Sequence, residues 1–406
     1  MTFVRTVSMM DFPLDEYTSR ISKLIDQMEV ADVDGVMLTQ EENLRYFCGL
    51  RSLVWKSHVS TPGILFVTRD GKMALVVSKS NRNTVEHTAC VEEKEIIHYF
   101  NYGDSDGDKW VPQSHVEALA YAVQTLGLER GRIGIEAGTV SRMRISYGEF
   151  LALKEKTPKA KYVYFAQNIW NIRSVKSLRE IELFRELCKI SGKCFEKAFQ
   201  SIEFGKTTER NVYEIFAQEA FRLGADAMPP LIVQFGQGRY IQLNCPPSDK
   251  VITKTEHDFL FVDTGPSKKG YITDTIRMGV VGSMTDQQKV LYDMVEESLD
   301  FCLNQLHDGA SCLEISARLD NLVASRGLDD VHWTKRWLGH SVGLEVHELP
   351  TLSCECDMEI RSGMILSVEP MMLHKDLGMI AIEQNVLVTD TGYENLTPYL
   401  PELIIL

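Results

Sequence analysis

The sequence predicts an α+β protein in which a smaller α/β domain precedes a larger domain of helices and antiparallel strands. Three observations lead to this prediction. The chain has 406 residues, its first part alternates between helical and strand patterns, and its second part has long helical patterns followed by strands. We expect the two domains to span residues 1–168 and 176–406.

The first predicted domain alternates between the two types of element. Apolar residues at helical spacing predict a helix over 15–31, and a short apolar run predicts a strand over 35–38. Apolar runs on either side of Arg69-Asp70-Gly71-Lys72 predict a β-hairpin. Further patterns predict helices over 116–126 and 147–154 and a strand over 132–136. Nothing in this region clusters His, Cys or acidic residues.

The second predicted domain begins with long helices. Ser177 and Glu180 have the spacing of a capping box, followed by an amphipathic pattern that continues to about residue 199. A second helix follows Thr208, and two more fit 286–306 and 312–326. Strands are predicted over 231–235 and throughout the last third of the chain, where glycine is frequent.

Charge and cysteine content indicate which classes of partner and which cellular compartment to expect. The formal net charge of −14 argues against nucleic acid or an anionic membrane as a partner. The sequence has no apolar run of membrane-spanning length, and its first twenty residues lack the pattern of a signal peptide. Nine cysteines without a CxxC pair indicate free thiols, so we expect a cytoplasmic protein.

A pair of carboxylates flanks a predicted hairpin at the centre of the second domain. Apolar runs over 259–262 and 278–281 read as strands, with Asp263 after the first and Asp274 before the second. A hairpin brings the two carboxylates together, and repulsion between them favours a cation at that point. Two solvated aspartates on a plain hairpin explain these residues equally well.

The last third of the chain supplies the residues that favour a metal site. His340 and His347 lie in a glycine-flanked segment, and Glu369 and Glu383 each interrupt an apolar run. An ionised glutamate in a buried strand costs several kcal/mol unless it is paired or bound to a metal. Four carboxylates and one imidazole predict two divalent ions of the Mn, Fe, Co or Zn kind, rather than a thiolate-bound structural zinc. Two such ions can activate a water molecule and polarise a carbonyl.

These motifs together resemble the pita-bread enzymes, which include methionine aminopeptidase, aminopeptidase P, prolidase and creatinase. The resemblance rests on Asp274-Thr275-Ile276-Arg277, Gly339-His340-Ser341-Val342-Gly343, His347-Glu348-Leu349-Pro350, Ser367-Val368-Glu369-Pro370 and Ile382-Glu383. It implies a pita-bread catalytic domain from about residue 176 onward and a creatinase-like N-terminal domain before it. In this family the N-terminal domain often covers the active site of the neighbouring protomer in a homodimer.

The resemblance also implies roles for individual residues. The order Asp263, Asp274, His340, Glu369, Glu383 is similar to the family's five-ligand dinuclear site, with Glu383 bridging both ions. Glu369 would also accept a proton from water. His347 resembles the histidine that helps to hold the tetrahedral intermediate. The implied reaction is the hydrolysis of an amide bond, of the Xaa-Pro dipeptidase or aminopeptidase kind, in a dipeptide substrate.

Several departures from the peptidase pattern leave a second chemistry open. Asn244 stands where peptidases usually have a histidine, Ala381 where they have an arginine, and the segment between Glu369 and Glu383 is short. These features resemble creatinase and the lyase that cleaves dimethylsulfoniopropionate. The alternative is therefore β-elimination or C–N hydrolysis of a small zwitterion.

Three further residues are predicted to contact substrate. The first, Trp55, would attract a quaternary or sulfonium cation to its ring, although a packed core aromatic is the simpler interpretation. The second is Asn244, which stands where peptidases usually have a histidine. The third is Arg277, beside the central hairpin, for which a structural role is equally consistent with the sequence.

Overall fold

The structure is a computed structural model that describes most of the chain. The described residues are 5–56, 61–100, 112–138, 141–229, 232–241, 244–327, 331–333, 337–397 and 403–406. Position 231, which the sequence assigns to a strand, lies outside these ranges. The chain divides into two compact units, Met1–Ile172 and Arg173–Leu406. Among the described residues, no helix combines the length and the apolar character needed to cross a bilayer.

The first unit contains a six-stranded mixed sheet. Its strands are β1 (Gly35–Leu38), β2 (Ile64–Thr68), β3 (Met73–Ser78), β4 (Ile96–Tyr99), β5 (Arg132–Ile135) and β6 (Lys161–Tyr164). They are ordered β4-β3-β2-β1-β5-β6. Strands β1, β2 and β3 pair antiparallel, whereas β4, β5 and β6 join in parallel pairs. The predicted hairpin is therefore confirmed, with Gly71 at φ 82° in its turn.

Helices alternate with these strands. They are α1 (Leu14–Val30), α2 (Glu41–Cys48), α3 (Arg82–Thr88), α4 (His115–Thr125), α5 (Tyr147–Lys156) and α6 (Ala166–Arg173). Side chains from the sheet and from α4 and α5 form the apolar core of this unit, which includes Phe66, Ala122 and Leu153. Helix α6 extends beyond residue 168, into the residues left between the two predicted domains, and its Ile169 and Trp170 side chains are buried.

The second unit begins with the helices that the sequence predicts. They are α7 (Leu178–Gln200), α8 (Glu209–Arg222), α9 (Asp286–Asn304) and α10 (Cys312–Ser325). Ser177 and Glu180 form the predicted capping box at the start of α7. Thr208 and Thr285 cap α8 and α9 in the same way. These reciprocal hydrogen bonds satisfy the backbone donors of the first helical turn and fix the point at which each helix begins.

Sheets that are antiparallel, except for the parallel pair of β11 and β20, make up the rest of the second unit. The strands are β7 (Ile232–Gly236), β8 (Phe259–Asp263), β9 (Ser267–Lys268), β10 (Tyr271–Ile272), β11 (Ile276–Val280), β12 (Val331–Trp333), β13 (Gly339–Ser341), β14 (Glu348–Thr351), β15 (Ile365–Val368), β16 (Met371–His374), β17 (Gly378–Ala381), β18 (Gln384–Val388), β19 (Tyr393–Asn395) and β20 (Leu403–Ile405). Sheets run β20-β11-β8-β7, β12-β16-β17 and β14-β13-β15-β18-β19, with β9 and β10 as a separate ribbon.

The predicted central hairpin is present but is more elaborate than a single turn. Strands β8 and β11 pair antiparallel, and the β9–β10 ribbon forms the connection between them. Gly270 has φ 81° and makes the tight turn of the ribbon. A side chain at position 265 would overlap the carbonyl oxygen of Thr273, so only glycine fits there. The hairpin packs on α9 and α10 through an apolar core that includes Phe261, Met278 and Leu291.

Candidate metal centre

The carboxylates and imidazoles predicted from the sequence lie together in the second unit. Their ligand atoms form three sets, and within each set these atoms lie within 4.8 Å of one another. The sets are Asp263, Asp274 and Glu383; His340, Glu369 and Glu383; and Asp274, His340 and His347. Because the sets share members, the five predicted ligands and His347 form one cluster.

Strand pairing in the central hairpin brings the two aspartates together. Asp263 is the last residue of β8 and pairs with Ile276 in β11. Asp274 lies just before β11, so the connection returns it to the end of the hairpin at which β8 stops. The sequence prediction that the hairpin joins these two carboxylates is in agreement with this geometry.

The two glutamates meet by a similar route in the five-stranded sheet. Val368, the last residue of β15, pairs with Gln384, the first residue of β18. Glu369 follows the former and Glu383 precedes the latter, so both glutamates lie at the same end of neighbouring strands. The sequence prediction put each glutamate inside a strand, which is wrong by one residue. A residue just outside the hydrogen-bonded ladder is free to turn its carboxylate toward the cluster.

The imidazole of His340 points its Nε2 atom at three carboxylates. This atom lies 3.2 Å from Glu369 Oε1, 3.7 Å from Asp274 Oδ2 and 4.0 Å from Glu383 Oε1. The other ring nitrogen, Nδ1, lies 3.0 Å from the carbonyl oxygen of Ser341. Since a carbonyl only accepts, Nδ1 carries the proton that is donated to it, which leaves Nε2 as the ring nitrogen that faces the carboxylates and could bind a cation.

This arrangement fits a divalent cation. In the described part of the chain, His340 Nε2 and Glu383 Oε2 are buried and have no hydrogen-bond partner. Buried polar atoms are rarely left without a partner, so these two atoms indicate that a ligand belongs beside them. Carboxylate oxygens with one imidazole nitrogen are the donors that Mn, Fe, Co and Zn accept. The cluster therefore has the donor set, and the unsatisfied atoms, that such an ion requires.

Burial and mutual repulsion perturb the carboxylates in the same direction. Loss of solvent, followed by the charge of Glu369, raises the pKa of Asp263 to about 7. Loss of solvent and the neighbouring carboxylates raise the pKa values of Asp274 and Glu383 well above their ordinary range. A bound cation opposes both effects, because it favours the ionised form of every carboxylate around it.

His347 is the accessible member of the cluster. Partial desolvation of its imidazole, and then the charge of His340, lower its pKa to about 4. The ring centroids of the two histidines are 4.5 Å apart, with the ring planes at 81°. His347 is therefore a neutral imidazole at pH 7, which is able to donate one hydrogen bond and accept another.

Two polar side chains that the sequence analysis missed hold the ligands in place. The Ser367 hydroxyl donates to Glu383 Oε1 at 2.5 Å and lies 3.2 Å from the carbonyl oxygen of Asp274. The Asn385 amide donates to the same carbonyl and, at 3.1 Å, to the Thr275 hydroxyl. Both side chains lie two residues from a glutamate ligand in sequence, a spacing that keeps them on the same face of a strand.

Arg277 is fully buried and contacts the segment that carries Glu383. Its guanidinium donates to the carbonyl oxygens of Ile276 and Glu383 at 2.7 and 2.6 Å, and to Gln384 Oε1 at 3.0 Å. These contacts tie β11 to the start of β18 and so fix the backbone of one ligand. Substrate contact by Arg277 stays a prediction that these contacts do not support.

A buried ion network lies beside the two histidines in sequence and in space. Glu348, which follows His347, pairs with Arg173 and with Lys176, whose Nζ lies 3.4 Å from Glu348 Oε2. Lys176 also donates to the hydroxyl of Ser341 at 2.9 Å. The nearby cations outweigh the effect of burial and lower the pKa of Glu348. The network therefore ties the segment that precedes α7 to β13, which carries His340, and to the start of β14, directly after His347.

The other two predicted substrate contacts lie outside the cluster. Trp55 is buried in the first unit, and the guanidinium of Arg144 lies over its ring at 5.6 Å from the centroid. Asn244 is exposed and lines a cavity of about 430 Å³ in the second unit, together with Tyr213 and Ile232. Ile232 pairs directly with Asp263 across β7 and β8, so this cavity begins one strand away from a predicted ligand.

Two family models match this chain, one over its first part and one over its second part. Residues 182–390 match the model of metallopeptidase family M24, and residues 20–175 match that of the creatinase/prolidase N-terminal domain. The chain belongs to metallopeptidase family M24. It is therefore a metal-dependent hydrolase, and the predicted resemblance is confirmed.

Known members of the family resemble this M24 chain over nearly its whole length. An Xaa-Pro dipeptidase of Pyrococcus horikoshii is 24% identical over 392 residues, covering 96% of this chain and all of the relative. An uncharacterised peptidase of Bacillus subtilis, YqhT, is 26% identical and covers 95% of this chain. The structure of an Xaa-Pro dipeptidase from Bacillus anthracis superposes with a TM-score of 0.78 at 25% identity, over 96% of this chain and all of the other.

These similarities confirm the predicted fold class, a pita-bread catalytic domain preceded by a creatinase-like N-terminal domain. They also confirm that the M24 chain is a metallopeptidase whose reaction uses divalent metal ions. The relatives named above are peptidases, so the lyase and C–N hydrolase alternative has no support from them.

Proposed function

We propose that this M24 chain is a dinuclear metal-dependent dipeptidase that cleaves the bond before proline in Xaa-Pro dipeptides. One observation carries the dinuclear part of the proposal. Glu383 belongs to two sets of candidate ligand atoms, one with Asp263 and Asp274 and the other with His340 and Glu369. A carboxylate with two oxygens is the ordinary bridge between two ions, so each set would hold one ion.

The five ligands would hold two divalent ions of the Mn, Fe, Co or Zn kind. When bound, such ions supply Lewis-acid polarisation of the scissile carbonyl and a water molecule of lowered pKa. The charges support this assignment, because four carboxylates beside one imidazole form a negative site once they are ionised, which two divalent cations would neutralise.

Two residues of the chain would carry proton transfer and charge stabilisation. Glu369 lies at the edge of the cluster, 6% exposed, and would accept the proton of the attacking water and return it to the leaving imino nitrogen. His347 is neutral and accessible, so its N–H would donate to the carbonyl oxygen of the substrate as negative charge develops there.

The dipeptide part of the proposal rests on relatives and on the cavity that Asn244 and Ile232 line. The Pyrococcus horikoshii and Bacillus anthracis proteins described above are named Xaa-Pro dipeptidases. Asn244, in the cavity beside Asp263, is our candidate for a direct polar contact with the substrate. We retain Arg277 as a residue that acts through Glu383. Trp55, predicted to attract a quaternary or sulfonium cation, is not assigned to the dipeptide, because its ring is buried with the guanidinium of Arg144 over it.

A substrate panel tests the proposal. The Mn²⁺-loaded protein is incubated with Gly-Pro, Ala-Pro, Leu-Pro and Met-Pro, with Leu-Gly and Ala-Pro-Phe as controls, and with dimethylsulfoniopropionate and creatine. Release of free proline from the dipeptides, and little turnover of the controls, is the expected result. Turnover of a small zwitterion without release of proline from any dipeptide would reject the proposal. Sedimentation velocity on the same preparation tests the homodimer that we expect.

A further inference from the structure

The indole of Trp337 contacts three members of the metal centre. Its Nε1–H donates to Glu369 Oε1 at 2.5 Å. Its ring centroid lies 5.4 Å from that of His340, with the planes at 35°, and 5.1 Å from that of His347, with the planes at 82°. The two histidine rings are themselves 4.5 Å apart, so the three rings form a compact group that we call the aromatic triad.

The indole hydrogen bond determines how Glu369 presents its carboxylate. A carboxylate oxygen has two acceptor directions, and an indole N–H can only donate. One direction of Glu369 Oε1 is taken by Trp337, and the same oxygen lies 3.2 Å from His340 Nε2. The indole N–H therefore limits rotation of the carboxylate and keeps Oε1 beside the imidazole.

The ring of Trp337 acts on the histidines in a different way. It is tilted against His340, and it meets His347 edge to face, which is one of the arrangements that aromatic rings prefer. His340 is fixed at Nδ1 by the carbonyl of Ser341, so the indole limits the remaining freedom of its ring. The indole also takes up space beside His347, the accessible residue of the cluster.

We propose that Trp337 is a positioning residue of the metal centre, which holds Glu369 Oε1 toward His340 Nε2 through its indole N–H. The expected effect of Trp337 on turnover rests on the proposed function. Its expected effect on metal binding does not depend on which substrate is cleaved. Partners that orient a metal ligand typically contribute 10- to 100-fold to metal affinity or activity. If ring packing alone positioned the ligands, an aromatic side chain without the N–H would be sufficient for full metal affinity.

Two substitutions separate the hydrogen bond from the packing. Trp337→Phe keeps an aromatic ring in the triad and removes the donor, whereas Trp337→Leu removes both. Trp170→Phe is the matched control, because Trp170 is buried in α6 of the first unit and is not part of the cluster. Metal-free protein is titrated with Mn²⁺ by calorimetry and with Co²⁺ by its absorption spectrum. Tryptophan fluorescence is recorded alongside, and thermal unfolding is recorded for each variant.

We expect Trp337→Phe and Trp337→Leu to bind Mn²⁺ about 10- to 100-fold more weakly than the unmodified protein. The Co²⁺ spectrum should change, most of the metal-dependent quenching of fluorescence should be lost, and Trp170→Phe should match the unmodified protein in affinity. Turnover of a cleaved dipeptide should fall in kcat with little change in KM. Metal affinity and a Co²⁺ spectrum of Trp337→Phe equal to those of the unmodified protein would overturn the proposal.

A third variant keeps the test decisive if Trp337→Phe unfolds. Site-specific incorporation of 3-benzothienylalanine at position 337 replaces the indole N–H by sulfur and leaves the size of the ring system almost unchanged. Weaker Mn²⁺ binding in this protein supports the role of the N–H, and unchanged binding contradicts it. If no Xaa-Pro dipeptide is cleaved by any form, the proposed substrate is wrong, while the metal titrations still decide the role of Trp337.

Discussion

The Ser367 hydroxyl donates to Glu383 Oε1 at 2.5 Å and lies 3.2 Å from the carbonyl oxygen of Asp274, so one side chain joins both halves of the candidate metal centre. Glu383 comes from the start of β18, and Asp274 from the connection before β11 in another sheet. The metal centre therefore depends on hydrogen bonds between sheets as well as on the ligands themselves.

Removal of this hydroxyl should weaken metal binding more than it weakens the fold. We expect Ser367→Ala to lower Mn²⁺ affinity by about 10-fold, because Glu383 loses the donor that orients it. Ser298→Ala is the matched control, since Ser298 is also buried but donates only to the carbonyl of Met294 in its own helix. Calorimetric titration of both variants checks the prediction, and equal affinities would contradict it.

Metal binding should release protons near neutral pH. Burial and the charge of Glu369 raise the pKa of Asp263 from its ordinary 3.8 to about 7, and those of Asp274 and Glu383 are also raised. The metal-free folded protein therefore holds protons at pH 6 that a cation must displace. We expect the apparent Mn²⁺ affinity to rise between pH 6 and pH 8. Calorimetry in buffers of different ionisation enthalpy measures the number of protons released.

The same shifts predict how metal-free protein responds to pH. A carboxyl group whose pKa is higher in the folded state binds more protons there than in the unfolded chain, so it stabilises the fold at low pH. This contribution is lost as the pH rises through about 7, the value for Asp263. Metal-free protein should therefore lose thermal stability from pH 6 to pH 8, whereas Mn²⁺-loaded protein should not. Parallel melting curves for the two forms would contradict this account.

The ion network around Glu348 should be important for stability. Arg173, Lys176 and Glu348 are each at most 5% exposed, so neutralising the carboxylate removes the buried negative charge that two buried cations share. Arg173 keeps its pair with Glu345 and Lys176 keeps the Ser341 hydroxyl. We expect Glu348→Gln to lower the free energy of unfolding by about 3–5 kcal/mol. The control is Asp293→Asn, which breaks an exposed pair with Lys289 and should change this free energy by less than about 1 kcal/mol. Urea denaturation of both variants measures the difference.

Asn244 should affect substrate binding rather than metal binding. It is exposed in the cavity beside Ile232 and lies outside the cluster of ligands. We expect Asn244→Ala to raise KM for a cleaved dipeptide by about 2- to 10-fold, the value of one neutral hydrogen bond, with Mn²⁺ affinity unchanged. Asn321→Ala, an exposed position on α10, is the control. A variant with unaltered KM would exclude Asn244 as a substrate contact.

Much of the fold could be predicted because short sequence patterns determine where its helices begin and where its hairpins turn. Capping residues such as Ser177 and Thr208 marked where helices begin, and alternation around Gly71 marked a hairpin. The predicted ligands were recognisable because a carboxylate in an apolar run is unusual enough to require a partner. Helix α6 was missed, since its burial depends on contacts that are distant in sequence.

The residues that support the site could not be predicted in the same way. Trp337 donates to Glu369 and Lys176 donates to Ser341, and each pair is joined only by the folded chain. A tryptophan or a lysine in such a position has no distinctive local pattern, because its partner is set by the pairing of strands. Ser367 and Asn385 carried the one usable signal, a spacing of two residues from a glutamate ligand on a strand.

The central claim is that the buried carboxylates coexist because two divalent cations neutralise them. Anomalous diffraction at the manganese edge, from crystals of protein saturated with Mn²⁺, tests this most directly. The account predicts two manganese peaks in each chain, both within bonding distance of Glu383, with His340 and Glu369 on one ion and Asp263 and Asp274 on the other. No peak in the cluster, or a single ion that Glu383 does not contact, would contradict it.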